Sequence, residues 1–335
     1  HGGCGLQGLA GIVGDAREEK HVIGKAHRSS QQAVEPTGRG ECYSSAKDFP
    51  ASWSGDYFNF EDVQLMLRPH HHAKWANAPE TMHYENWLDA DGRGQERWEL
   101  AKEHLPPKMK NFQAWSSALG EEWHTSPWVG DRTVEMLEEQ EDTPVFAWVS
   151  FPDPHPPFLA PKPWSDMYSP DEVVPAKNTT LDLDNRPWWH RAFLKSKSVI
   201  QQGEKHWAGG VDWGGFGDMS EEALREITAV YFGMITAIDS EVGRILDAIE
   251  AKGELDNTVI IFISDHGEWL GDHGLLLKGP MLYDGLLRVP CLISGPGVPA
   301  DKVIDDPIST MDIRKTLMDL CGLEGDADNG TSWKG

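Results

Sequence analysis

Asn257-Thr-Val-Ile-Ile-Phe-Ile-Ser-Asp-His-Gly-Glu268, continuing through Gly271-Asp-His-Gly-Leu-Leu-Leu-Lys278 to Val289-Pro-Cys-Leu-Ile-Ser294, is the stretch whose reading decides the fold. Val259 to Ile263 is a continuous apolar, largely β-branched run of the kind found in a parallel strand covered on both faces. In such sheets ligands bind beyond the carboxyl ends of the strands. Asp265 and His266 stand at that end, followed by a Gly-rich loop, by Lys278, and by a second apolar strand at 289–294. Asp-His-Gly by itself also makes an ordinary turn. At the end of a buried strand, however, a carboxylate and an imidazole side by side suit a metal, and a lysine adds positive charge for an anionic ester.

Working outward, the helix before this stretch is the clearest in the chain. Ser220 reads as its N-cap, with Glu221 and Glu222 in the first turn. Leu224, Ile227, Tyr231, Met234, Ile238, Val242, Ile245 and Ile249 recur at spacings of three and four, and Gly253 stops it. A helix over 220–251 followed by a strand over 258–263 gives the α-to-β step of a parallel sheet. Ile308 to Leu320 reads as a further helix. Upstream, 128–140 has helical spacing and leads into a buried-strand candidate, Pro144 to Phe151. Pro152-Asp-Pro-His-Pro-Pro-Phe158 then takes the backbone out of the sheet, because proline cannot continue the ladder, and carries His155 on a stiffened loop. Val22-Ile23 is a short apolar approach to Gly24-Lys-Ala-His27. Residues 28–115 and 159–217 show little periodicity and read as long irregular insertions. The fold class expected is α/β, a mainly parallel sheet flanked by helices.

Composition sets the outer limits. The 335 residues, with 39% hydrophobic content and 15 Trp, suffice for a large core. The formal charge of −24 argues against nucleic acid and anionic membrane as partners, so a negatively charged substrate needs a locally positive pocket. Cys4, Cys42, Cys291 and Cys321 form no C-x-x-C pair, and Cys291 reads as a small core residue. No apolar stretch reaches membrane-spanning length, and His1 to Gly8 has neither a charged n-region nor an h-region. His70-His71-His72 reads as a solvated loop, since adjacent histidines point in different directions.

Gly24-Lys-Ala-His27, Pro154-His-Pro-Pro-Phe158, Asp256 to Gly267 and Leu277-Lys-Gly-Pro280, in that order, resemble the sulfatase family of the alkaline-phosphatase superfamily. Tyr231-Phe-Gly-Met-Ile235 and Asp239 to Leu246 in the long helix match as well. The resemblance implies hydrolysis of a small-molecule or glycan sulfate ester, with a formylglycine nucleophile made in a C-x-[PA]-x-R motif and a divalent cation, usually calcium. It assigns Asp265 and His266 to the metal, with His266 standing where many members have Asn. Lys278 and His155 would contact the sulfate and the leaving-group oxygen, and Lys25 and His27 would hold the formylglycine hydroxyls. His124 and His273 are further candidates for the substrate side of the site.

Two features of that family are absent from the 335 residues: the C-x-[PA]-x-R motif and the paired Asp residues of the first strand. The resemblance therefore implies that 1–325 is an incomplete catalytic domain and that 326–335 begins a connection to a C-terminal subdomain. The chain alone is then expected to be inactive, since calcium prefers six to eight oxygen ligands. A nitrogen ligand at His266 suits manganese, iron or zinc, which keeps a phosphonate monoester or phosphodiester hydrolase open. A non-catalytic protein binding sulfated glycans through Lys25, His155 and Lys278 stays open too. Substrate identity, oligomeric state and localisation, whether periplasmic, secreted or cytoplasmic, are not readable.

Overall fold

The computed structural model describes residues 19–26, 45–50, 52–67, 82–106, 109, 114–141, 143–178, 184–190, 220–323 and 330–333. His27, the 70–72 histidines, Cys4 and Cys42 lie outside them. The strands are β1 (Glu19–Gly24), β2 (Asp62–Leu65), β3 (Ala114–Ser116), β4 (Val145–Ser150), β5 (Phe158–Ala160), β6 (Ile260–Ile263) and β7 (Cys291–Ser294). The helices are α1 (His83–Leu88), α2 (Gly94–Lys102), α3 (Thr125–Glu139), α4 (Glu221–Ala251), α5 (Asp284–Leu287) and α6 (Ile313–Cys321).

A parallel sheet in the order β2-β1-β4 organises the first half. Successive side chains of a strand point to opposite faces. Val22 accordingly enters a core with Tyr57, Phe60, Val63 and Leu65, while Ile23 enters another with Tyr84, Leu88, Trp98 and Trp128. β1 is longer than Val22-Ile23 suggests because polar residues in it are satisfied in place. His21 Nδ1 lies 2.9 Å from Asp62 Oδ2, and Lys20 Nζ lies 3.5 Å from Glu61.

α4 forms as the sequence predicts. The Ser220 hydroxyl accepts from the Ala223 amide at 3.2 Å, a cap worth about 1 kcal/mol. Leu224, Ile227, Val230 and Met234 are buried against β3, β5 and Leu276-Leu277. Each such side chain contributes roughly 1.5–3 kcal/mol of burial.

One expectation is corrected. β6 and β7 pair with each other, antiparallel, with Ile260 opposite Ser294 and Ile263 opposite Cys291. They are not covered on both faces: Phe262 is 38% and Leu292 66% exposed, and Cys291 is half-buried instead of core. An apolar run without alternation does not say which strand it pairs with, and here the return after α5 brings β7 back against β6. The stretch 28–115, read as irregular, holds β2, α1, α2 and β3.

Candidate functional site

Two groups of the expected residues emerge from two parts of the fold. The first lies at the carboxyl end of the parallel sheet. Gly24 has φ +100°, and a Cβ on it would meet the Ser150 carbonyl oxygen at 1.9 Å, so only glycine lets β1 and β4 end this close together. The next amide, Lys25, donates to that same carbonyl at 3.1 Å, and the Lys25 side chain is buried. β4 continues into the proline loop that carries His155. The His155 amide donates to Pro152, and its Nδ1–H donates to the Pro156 carbonyl at 2.7 Å. That bond fixes the neutral tautomer with Nε2 as the ring's basic position.

The second group surrounds the loop beyond β6. The Asp265 carboxylate caps the His266 amide at 2.9 Å, and His266 Nδ1–H donates to the Gly267 carbonyl at 2.8 Å. Its Nε2 then lies 3.7 Å from Asp265 Oδ2. Two donors about 2.0–2.5 Å from one ion span such a separation, and an imidazole held through its other nitrogen is the usual form of a histidine ligand. Asp265 and His266 therefore fit as two ligands of a divalent cation, and among the described residues no cluster of three such groups occurs. Gly267 is required next, because a Cβ there would sit 2.0 Å from the Gly285 carbonyl oxygen, and its amide donates to Leu286 at 2.8 Å.

Lys278 returns to this point on a tight loop. Leu270, His273 and Leu277 all have φ between 43° and 68°, a left-handed region that favours glycine, so the turn that delivers Lys278 is strained. Burial lowers the Lys278 pKa, opposed by the charges of Asp265 and then Glu268. Burial pushes the Glu268 carboxyl up to about 7, against backbone donors and the Lys278 charge. The Tyr231 hydroxyl is also raised, by burial first and then by Glu268 and Asp265. Asp265, Glu268, Lys278 and Tyr231 thus share one electrostatic neighbourhood. Tyr231 also joins the two groups: its ring packs edge-on to Phe158, at the end of the His155 loop, with centroids 5.6 Å apart.

The remaining candidates sit differently. His124 is buried ahead of α3, beside a cavity of about 10 Å³ lined by Glu121, Asp153, Trp164 and Glu241. That is the room of roughly one water, too little for a substrate. His273 faces an inserted segment: its Nδ1 lies 2.8 Å from Asn178 Nδ2 and 3.1 Å from Arg186 Nη2, and its ring stacks on Tyr283 at 3.8 Å. Asn178 and Arg186 escaped the sequence reading, as did Tyr231 as a site residue, which the helical pattern placed in the core. Glu268 was visible beside the motif, but its spacing gave it no role.

The family model described as Sulfatase matches residues 122–323, more than half of the chain. An arylsulfatase of Clostridium perfringens is 32% identical over 224 residues, 64% of this chain and 42% of that protein. A choline-sulfatase of Rhizobium meliloti is 32% identical over 193 residues, 56% of this chain and 34% of that protein. The chain thus spans less than half the length of either relative. The solved phosphonate monoester hydrolase of Agrobacterium radiobacter superposes with a TM-score of 0.67 at 26% identity, over 96% of this chain and 60% of that one. β4, the Asp265-His266 loop and the returning Lys278 all lie in the matched span, and on that ground the chain belongs to the sulfatase family of the alkaline-phosphatase superfamily.

Proposed function

We propose that this chain carries part of the active site of a sulfuric ester hydrolase acting on a small-molecule or glycan sulfate ester. The observation that supports this most is the convergence of Asp265, His266 and Lys278 beyond β6 in a chain of the sulfatase family. A partly desolvated ammonium holds a sulfate oxygen more strongly than an exposed one, so Lys278 fixes the ester and meets charge as it grows on the non-bridging oxygens. His155, with Nδ1–H committed to Pro156, takes up a second proton at Nε2 and, as the imidazolium, donates it to the leaving-group oxygen as the ester bond breaks. Lys25, and His27 after it, are assigned to the hydroxyls of the nucleophile. Asp265 and His266 would hold the divalent cation, calcium by family resemblance, which when bound supplies Lewis-acid charge to the sulfate oxygens. The imidazole ligand also admits manganese, iron or zinc. The formylglycine expected as nucleophile has no C-x-[PA]-x-R source in these residues.

A second reading, a phosphonate monoester or phosphodiester hydrolase, is favoured by the nitrogen ligand at His266 and by the 26% identity to the phosphonate monoester hydrolase. The separating experiment, on protein that carries a complete nucleophile motif, compares release from 4-nitrophenyl sulfate, a 4-nitrophenyl phosphonate and a bis(4-nitrophenyl) phosphate, each with calcium, manganese and zinc. Sulfate release should dominate, and exclusive phosphoester turnover sinks the sulfatase reading. Saturable binding of all three without turnover, by protein carrying a complete nucleophile motif, would favour an anion-binding protein.

A further inference from the structure

Arg186 differs in its surroundings from most of the described arginines. Arg93, Arg97, Arg132, Arg225, Arg244 and Arg288 each pair with a carboxylate. Arg186 has no carboxylate within ion-pair distance among the described residues, in a chain with 54 acidic and 30 basic residues. Its Nη2 lies 3.1 Å from His273 Nδ1, an acceptor that Asn178 Nδ2 also approaches at 2.8 Å, and its guanidinium carbon lies 5.2 Å from the centroid of Tyr283. A hydrogen bond to an imidazole and a contact with a ring face orient a guanidinium without cancelling its charge. One of its five N–H groups is thereby used, and the planar fork that matches an oxyanion is kept.

The surroundings reinforce this. Tyr283 is clamped between rings, stacked on His273 at 3.8 Å and edge-on to His190 at 5.9 Å. His190 is buried, and desolvation, then the Arg186 charge, lowers its pKa, so it adds no second cation. Trp188, two residues along the same segment, is 79% exposed and offers a broad apolar face. The location is tied to the Lys278 loop. His273 follows Asp272, whose carboxylate lies against Gly285, and Gly285 in turn abuts Gly267, next to His266.

We propose that Arg186 forms a second anion subsite beside the Lys278 site, reading an additional oxyanion, a sulfate or a carboxylate, on the organic part of the substrate. The inference rests on the sulfate-ester reading and narrows it to dianionic esters, with Trp188 offering a stacking face for a sugar ring.

The test is equilibrium binding, followed by tryptophan fluorescence and calorimetry, which needs no turnover. Three probes share one ring: a monosulfated hexosamine, its disulfated analogue, and a sulfated hexuronate. The wild-type chain should bind one or both dianions about tenfold or more tightly than the monosulfate, the size of one charge-assisted hydrogen bond. Which dianion wins tells sulfate from carboxylate. Arg186→Gln should abolish the preference while leaving monosulfate affinity within about twofold, and Arg186→Lys should restore part of it. Equal binding of all three probes by the wild type, or an unchanged preference in Arg186→Gln, overturns the subsite alone. Equal loss of all three probes in Arg186→Gln marks Arg186 as a brace for the loop and also overturns it. Failure of the wild type to bind any probe, with Lys278→Gln giving the same flat response, overturns the sulfate-ester reading beneath it.

Discussion

Gly233 lies in the middle of α4, where an exposed Gly→Ala change would stabilise a helix by about 0.5–1 kcal/mol. Here the sign should reverse. A Cβ on Gly233 would stand 2.1 Å from the Trp164 carbonyl oxygen and 2.9 Å from its carbon, both backbone atoms. The 161–166 turn must then move, and overpacking of this kind costs roughly 1–3 kcal/mol. Gly233→Ala is therefore expected to destabilise the protein by about 1–2 kcal/mol net. Gly243 sits in the same helix with nothing within 4 Å of its would-be Cβ, so Gly243→Ala should show the helix gain alone, up to about 1 kcal/mol. Urea unfolding of both variants, with m-values checked for constancy, measures a difference of about 2–3 kcal/mol between them. The site should respond as well, because Tyr231 is less than one turn from Gly233, and Trp164, which α4 presses against, bonds Glu121 through its indole at 2.6 Å. A Gly233→Ala protein as stable as wild type, or more so, would refute the close approach of α4 to the 161–166 turn.

Gly24→Ala should cost about 3 kcal/mol or more, from a left-handed φ, the 1.9 Å approach to Ser150 and loss of the Lys25 amide bond; a urea midpoint equal to wild type would contradict it. Glu268 holds its proton in the folded state up to about pH 7, while the unfolded chain releases it near 4.5, the ordinary range of a glutamate. This contribution is fully present below the unfolded value and is lost as pH rises toward 7, at most about 3 kcal/mol. Unfolding free energies at about pH 5 and 8 should therefore differ less in Glu268→Gln than in wild type, and equal pH slopes would count against a buried Glu268. Lys278→Gln should weaken sulfate-ester binding at least tenfold, read by calorimetry, and should raise the Glu268 pKa further because the Lys278 charge now lowers it; unchanged affinity would remove Lys278 from the site.

What the sequence disclosed follows the range over which its signals act. α4 was legible from end to end because a cap, an acidic first turn and eight apolar positions repeat one local rule. β4 was legible because a bounded apolar run precedes prolines. β1 was read only at Val22-Ile23, since Lys20 and His21 look like surface residues until Glu61 and Asp62 of the neighbouring strand are placed beside them. The antiparallel return of β7 on β6 was misread for the same reason, as pairing is set by the partner. In the site, Asp265, His266 and Lys278 lie on one short loop and were found together. Arg186 and His273 are separated by 87 positions and Asn178 and His273 by 95, so no spacing argument reaches them. His124, a candidate for the substrate side of the site, is packed beside a cavity of about 10 Å³.

An acidic chain that binds an anionic ester must overcome its own field, and the site residues indicate how. Lys278 is not neutralised by a close ion pair among the described residues; Asp265 and Glu268 act on it through space. The Asp265 carboxylate turns toward His266, whose Nε2 it approaches at 3.7 Å, in the arrangement of two cation ligands. A bound divalent ion would more than offset that single carboxylate. With no ion bound, burial holds the Glu268 carboxyl up at about 7, so its ionisation weighs on Lys278 near neutrality. Protonated, it leaves Lys278 as an uncompensated cation facing the ester; ionised, it competes with the ester for that ammonium. Anion affinity of the metal-free protein should accordingly strengthen as pH falls through about 7, and the same dependence should flatten in Glu268→Gln.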